Sequence, residues 1–222
     1  MSNQILNESA EKRNSTFSIT ARDLSKRFNR EWIFRNFNYQ FTTGNTYAIT
    51  GPNGSGKSTL LQVLWGQVPQ TSGILQHNIR ATAMPPEKIC EFVSIATPYM
   101  DLIDEFTLTE QLEFHFKLKK IRGKLKTHDL MEIMYLTASK DKYIGNFSSG
   151  MKQRTKLALA LYTEAPFVFL DEPGTNLDDQ AFEWYKKELQ KLPADGMILI
   201  ASNDPAEYPD RATVINLLTF KA

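Results

Sequence analysis

A chain of 222 residues with 41% apolar and 23% charged side chains can bury a substantial core, as one large α/β domain or two small ones. Its formal net charge of +1 supplies no bulk electrostatic pull toward nucleic acid or a charged membrane surface, so no nucleic-acid partner is expected. Cys90 is the sole cysteine, which excludes an intramolecular disulfide and fits a reducing compartment. Residues 1–16 are polar, lack an apolar signal core and read as a flexible tail. No apolar stretch approaches the roughly 20 residues of a spanning helix.

Taken in chain order, Phe17, Ile19 and Ala21 alternate weakly with polar neighbours, and Phe37, Tyr39 and Phe41 do so more strongly. That is the pattern of half-buried strands, here a small antiparallel layer. Tyr47-Ala48-Ile49 reads as a short buried strand and Leu60-Leu61-Gln62-Val63-Leu64 as the start of a helix. After a turn at Thr71-Ser72-Gly73, Ile74 to Met84 extends the antiparallel layer, and Phe92 to Ala96 is another strand. Helices are expected over Leu108–Lys119 and His128–Leu136, divided by a basic turn around Arg122-Gly123-Lys124. A further helix runs from Met151 to Tyr162 with Leu157, Ala158 and Leu161 on one face. Phe167 to Leu170 and Met197 to Ala201 are uninterrupted apolar runs, as expected of parallel strands covered on both faces. A helix over Asp178–Leu192 lies between them, and Val214 to Leu218 reads as an edge strand. The organisation expected is one α/β domain over residues 17–222, with a helical subdomain inserted at roughly 87–160.

Between the strand at Tyr47–Ile49 and the helix at Leu60 stands Gly51-Pro52-Asn53-Gly54-Ser55-Gly56-Lys57-Ser58-Thr59, which fits G-x-x-x-x-G-K-[ST]. Strand, glycine turn and helix are the context such a phosphate loop requires. Glycines adopt backbone angles that a side chain would block, so successive N–H groups can point inward as an anion nest. The helix starting near Lys57 adds its N-terminal dipole. Lys57 supplies a full positive charge for the β- and γ-phosphates of ATP or GTP. The Ser58 hydroxyl suits Mg²⁺, a hard cation that prefers oxygen, and Thr59 can add a hydroxyl contact on the α-phosphate side.

Phe167-Val168-Phe169-Leu170-Asp171-Glu172-Pro173 gives the second feature. Four apolar residues bury a strand, and two carboxylates emerge at its C-terminal end, where ligands bind in open α/β sheets. Asp171 can hold Mg²⁺ through a water, and Glu172 can polarise the water that attacks the γ-phosphate. By itself a strand ending in Asp-Glu is also what a solvated strand end looks like.

Asn146-Phe147-Ser148-Ser149-Gly150-Met151-Lys152-Gln153-Arg154 resembles the LSGGQ-x-x-R signature of ABC transporter nucleotide-binding domains. Ser148, Gly150 and Arg154 match; Phe147, Ser149 and Met151 replace Leu, Gly and Gln. With the phosphate loop and the Asp171-Glu172 strand in the same order, the resemblance covers nearly the whole chain from Phe17 on. It implies an α/β P-loop ATPase with a mostly parallel core sheet. It also implies ATP and Mg²⁺ as ligands, with Gly51, Pro52, Asn53, Gly54, Ser55, Gly56, Lys57, Ser58, Thr59 and Asp171 at the nucleotide. Ser58 and Asp171 would serve the metal, and Glu172 and Lys57 the chemistry. Ser148, Ser149 and Gly150 would face the γ-phosphate of a nucleotide held by a second subunit, a homodimer being the simplest case. As a plain alternative, Ser148 or Ser149 is simply an N-cap. Gly174-Thr175-Asn176-Leu177-Asp178 resembles the loop linking the two sites of such a dimer. Phe28 resembles the aromatic that stacks on adenine, with Trp32 as its competitor.

Two positions depart from the family pattern. Pro98 stands about where the family places a glutamine that touches Mg²⁺ and senses the membrane partner; proline has neither a side-chain ligand nor an N–H. Thr97 is the nearest substitute, acting through a water, and Gln111 lies too far along the next helix. Asn203 stands at the position of a histidine that contacts the γ-phosphate; its amide can donate a hydrogen bond but carries no charge. Slow hydrolysis is therefore expected. His115 reads as a packed residue, His77 and His128 lack metal-ligand spacing, and the basic run Lys117–Lys126 reads as a solvated surface or an anion-facing one.

The functions that follow are an ATPase subunit of an integral membrane permease, more export-like than import-like, held on the cytoplasmic face of the membrane by that permease. A short haem-export-like subunit is a variant of the same class. The alternatives are a module that binds ATP and barely cleaves it, and a soluble non-transport member of the superfamily.

Overall fold

The computed structural model describes residues 17–80 and 82–221; the tail expected at 1–16 lies outside them. Two sheets sandwich the first half of the core. In the antiparallel sheet, β1 (Phe17–Phe28) and β2 (Glu31–Thr42) form a long hairpin turned at Asn29-Arg30, with β4 (Ser72–Ile79) and β5 (Thr82–Ala83) completing the order β2-β1-β4-β5. The parallel sheet contains β3 (Thr46–Thr50), β6 (Val93–Ala96), β7 (Phe167–Asp171), β8 (Met197–Ala201) and β9 (Thr213–Asn216) in the order β6-β7-β8-β3-β9.

Side-chain alternation explains why β7 and β8 are apolar throughout. Phe167, Phe169, Met197, Leu199 and Ala201 point to one face, where Phe34, Phe37, Phe41, Leu60, Leu61 and Leu64 pack against them. Val168, Leu170, Ile198 and Ile200 point to the other, against Leu157, Leu161, Trp184 and Tyr185. Each such side chain, fully buried, contributes about 1.5–3 kcal/mol.

The helices are α1 (Lys57–Leu64), α2 (Ile89–Phe92), α3 (Leu108–Leu118), α4 (Thr127–Ile133), α5 (Ser149–Tyr162) and α6 (Asp179–Gln190). Start signals are visible locally. Thr107 and Glu110 form a reciprocal capping box at α3, and the Asp178 carboxylate accepts the Ala181 N–H at 2.8 Å at the start of α6. Among the described residues no helix is long and apolar enough to cross a membrane.

Several elements differ in extent from the sequence expectation. β1 runs on to Phe28 through register shifts between Ala21 and Arg27. The run expected from Ile74 to Met84 breaks at Arg80, whose left-handed backbone (φ 49°) separates β4 from β5. The helix expected to reach Leu136 stops at Ile133, just before Tyr135 turns left-handed (φ 57°). β9 is an edge strand as expected, but ends at Asn216, whose side chain caps a 3₁₀ turn over Leu217–Phe220.

The strand order positions the site. β8 lies between β3 and β7 with all three parallel, so the loops that follow β3, β7 and β8 leave the same edge of the sheet side by side.

Candidate functional site

β3 is buried along its length and delivers the chain into Gly51 with a backbone no other residue adopts comfortably (φ 147°). Gly56 closes the loop at φ 100°, and a Cβ there would lie 2.3 Å from Ile33 Cγ2, so β2 presses directly on the loop. Gly56 caps α1 with no side-chain hydrogen bond, leaving the helix N-terminus open to an anion. Pro52, Asn53 and Gly54 are exposed along the rim, while Ser55 is buried with no hydrogen-bond partner for its hydroxyl among the described residues. Ser58 and Thr59 lie half-buried in the first turn of α1.

Lys57 is 4% exposed and arches back over the loop, donating to Gly51 O at 2.9 Å and to Pro52 O at 3.4 Å. The Ser58 hydroxyl donates to Asp171 Oδ1 at 3.0 Å, joining the loop to the end of β7. Asp171 is 1% exposed, and burial pushes its carboxyl up to about 6. The Ser58 bond and the Lys57 charge lower it, and the neighbouring Glu172 raises it. A buried carboxyl beside a hydroxyl, next to an open anion nest, is a hard-oxygen pair of the kind that would fit Mg²⁺. Among the described residues no group of three His, Cys, Asp or Glu side chains forms an all-protein metal site.

Glu172 follows in a left-handed conformation (φ 45°), its N–H bonded to Ala201 O at 2.8 Å. Asn203, exposed in the loop after β8, donates its amide to Asn53 Oδ1 at 3.4 Å. The loops after β3, β7 and β8 therefore converge at Lys57, Asp171, Glu172 and Asn203.

Phe28 ends β1 with its ring 46% exposed and the Lys26 ammonium 4.5 Å from the ring centroid; Lys26 is itself tied to Pro69 O at 2.8 Å. One face of the ring is thus covered. Trp32, its competitor, has the Arg27 and Arg35 guanidinium groups at 5.1 and 4.8 Å from its ring. Phe28 is the more available platform.

Ser148 caps α5, accepting the Met151 N–H at 3.3 Å, and Ser148 and Ser149 are exposed. A Cβ on Gly150 would sit 2.9 Å from Asn176 O, so the small residue is required by close backbone packing. Among the described residues no hydrogen bond connects Ser148, Ser149 or Gly150 with Gly51–Thr59.

Pro98 offers only its carbonyl, which accepts Lys156 Nζ at 2.8 Å. Thr97 is buried beside it. Gln111 is consumed structurally, its side-chain oxygen accepting the Ile103 N–H at 3.0 Å. His115 meets Phe116 edge-to-face, with Nε2 2.8 Å from Thr163 Oγ1, and burial drops its pKa to about 4.

Three polar residues that the sequence did not single out turn out to be built into the site's supports: Lys156, Gln153, whose amide donates to Pro173 O at 2.9 Å, and Glu207, which accepts the Gly174 N–H at 2.9 Å. No spacing pattern marks them, because each partner is remote in sequence.

Solved structures share this fold. An ATP-binding ABC transporter protein from Pyrococcus furiosus superposes with a TM-score of 0.76 at 21% identity, over 92% of this chain and 100% of that one. A dimeric ATP-binding cassette with bound ADP and Pi gives 0.76 at 21% identity, over 90% and 94%. Among curated relatives, a Nod factor export ATP-binding protein from Burkholderia orbicola is 27% identical, over 89% of this chain and 66% of that protein. A sulfate/thiosulfate import ATP-binding protein from Thermosynechococcus vestitus is 30% identical, over 89% and 61%. The chain thus spans about three fifths to two thirds of the length of these relatives. The ABC transporter family model matches residues 34–175, from the middle of β2 through the phosphate loop and the signature helix to the turn after Glu172, and the chain belongs to that family as a nucleotide-binding domain.

Proposed function

We propose that this chain binds Mg-ATP at Gly51–Thr59 and hydrolyses it to drive a membrane transporter. The Ser58–Asp171 hydrogen bond carries the reading, because it brings the phosphate loop and the acidic end of β7 into one site. The N–H groups of the loop and of the α1 N-terminus receive the phosphates. Lys57 exchanges the Gly51 and Pro52 carbonyls for β- and γ-phosphate oxygens. Ser58 and Asp171 would hold Mg²⁺, which would offset the charge of the phosphates. Glu172 accepts the proton of the attacking water, and Asn203 donates a neutral hydrogen bond to the γ-phosphate. Phe28 offers its uncovered face to adenine.

Ser148 and Ser149 are exposed, and among the described residues neither they nor the adjoining Gly150 make a hydrogen bond to the loop of their own chain. This supports a head-to-tail dimer in which they meet the γ-phosphate held by the other subunit, a second copy being the simplest partner. An integral permease docks on the segment from Tyr99 to Leu136, where Tyr99 is 80% exposed, and holds the domain on the cytoplasmic face. Relatives include both export and import proteins; the Ser149 and Met151 variants favour export. With Pro98 and Asn203 in place of Gln and His, turnover is slow.

The test compares wild type with Glu172→Gln in purified protein. Loss of a general base should lower ATP turnover by about 10²–10⁴-fold, with Mg-ATP affinity retained. Equal inactivity of both proteins, with binding intact, would make the domain an ATP-responsive binding module instead.

A further inference from the structure

We infer that Glu207 is a positioning residue for Glu172, acting through one peptide group that it grips together with Gln153. This rests on Glu172 being the hydrolytic base. The turn that carries Glu172 is conformationally costly, since Glu172 and Asn176 both have left-handed backbones, with φ of 45° and 63°. Non-glycine residues stay in that region only when their surroundings hold them there. The entry is held by the Glu172 N–H bond to Ala201 O at 2.8 Å.

The next hold is the peptide between Pro173 and Gly174. Its carbonyl oxygen accepts from Gln153 Nε2 at 2.9 Å, and its N–H donates to Glu207 Oε1 at 2.9 Å. Gln153 and Glu207 are 5% and 8% exposed, so neither bond competes with bulk water. Gripped at both ends by buried side chains, this peptide plane cannot rotate without breaking a hydrogen bond. Gly174 is demanded by the same contact: a Cβ there would lie 2.4 Å from Glu207 Oε1.

The two grips come from different places. Gln153 belongs to α5, whose first turn is Ser149-Gly150. Glu207 belongs to the loop after β8, four residues beyond Asn203, and is itself fixed there. Its N–H donates to Asp204 O at 3.1 Å and its carbonyl accepts the Tyr185 hydroxyl at 2.7 Å. Glu207 Oε2 is buried with no hydrogen-bond partner among the described residues. Ser202 also lies close enough to act on this carboxyl, but the backbone group Glu207 holds is the Gly174 N–H, two residues from Glu172, and burying a carboxyl with one oxygen unpartnered is expensive as a structural device. Movement of the signature helix or of the Asn203 loop therefore reaches Glu172 through this peptide.

Three variants of the full chain test this: Glu207→Leu, which removes the acceptor, Glu207→Gln, which keeps it, and Gln153→Leu, which releases the other end. Expected for Glu207→Leu is a fall in kcat of about 10–100-fold, the penalty for misplacing a catalytic group by about an ångström, with KM within about twofold. Glu207→Gln should recover kcat to within about threefold of wild type. Amide exchange over residues 171–178 of nucleotide-free protein should quicken by about tenfold or more in both Leu variants but not in Glu207→Gln. Wild-type kcat in Glu207→Leu, or a Glu207→Gln variant no better than Glu207→Leu, overturns the inference. If wild type itself does not turn over ATP, the hydrolytic reading of Glu172 falls on its own account. The exchange pattern still decides the clamp, because unchanged exchange in Glu207→Leu overturns it.

Discussion

Two helices of this molecule begin with small and hydroxylated residues, and they begin in opposite ways. At α1 the cap is Gly56, left-handed and without any side-chain bond to the first turn. At α5 the cap is Ser148, whose hydroxyl already takes the Met151 N–H. The first terminus is left open toward the glycine loop of its own chain. The second is self-capped and turned outward, with Ser149 exposed at the surface. On the proposed function the first would be a receptor by itself, and the second would serve only when a phosphate is brought to it by another subunit. The difference between the two termini lies in which backbone N–H groups remain unspent.

The most severe way to break the comparison is to close the open terminus. Gly56→Val would force a β-branched residue into φ 100° and place its Cβ 2.3 Å from Ile33 Cγ2. Expected are a stability loss of about 3 kcal/mol in denaturant titration and Mg-ATP binding weakened by about a hundredfold or more in calorimetry. Near-native binding would mean that the loop does not depend on the approach of β2. A smaller effect, confined to the other terminus, should follow from Ser149→Arg. Affinity of dilute protein for Mg-ATP stays unchanged, whereas ATP-dependent dimerisation, read by sedimentation, is lost and turnover falls about a hundredfold. Weaker binding in dilute protein would show that the two termini act on the same nucleotide. Smallest is Asn203→His, which restores a chargeable donor beside Asn53 and should raise turnover up to about tenfold at constant affinity. Unchanged turnover would show that Asn203 does not limit hydrolysis.

What the sequence made legible was whatever is local. Gly51–Thr59 encodes its conformation in its own spacing, and the apolar runs at Phe167 and Met197 announce strands covered on both faces. The pairing of Asp171 with the phosphate loop was also accessible, but only jointly: a buried strand ending in two carboxylates is ambiguous by itself and gains meaning from the phosphate loop that precedes it in the chain. The full length of the β1–β2 hairpin was hidden, because Asp23, Asn29 and Asn36 take left-handed backbones that break the alternation without a glycine to signal it. The grips on the peptide after Pro173 were hidden for a different reason. Gln153 and Glu207 reach across 20 and 33 residues to backbone atoms, and backbone atoms have no identity in a sequence. A polar residue inside an apolar helix face, as Gln153 is, was the one available clue.

The resting posture of Lys57 has a kinetic consequence. With only 4% of its surface exposed and its ammonium on the Gly51 and Pro52 carbonyls, the loop's one full charge is tied to backbone acceptors inside the loop instead of standing at its surface. Under the proposed function, an arriving triphosphate would first touch the loop N–H groups and the α1 terminus, and the lysine would then exchange one set of acceptors for another. Association would be a two-step event, with an initial docking setting the encounter and a side-chain rearrangement inside the loop setting the commitment.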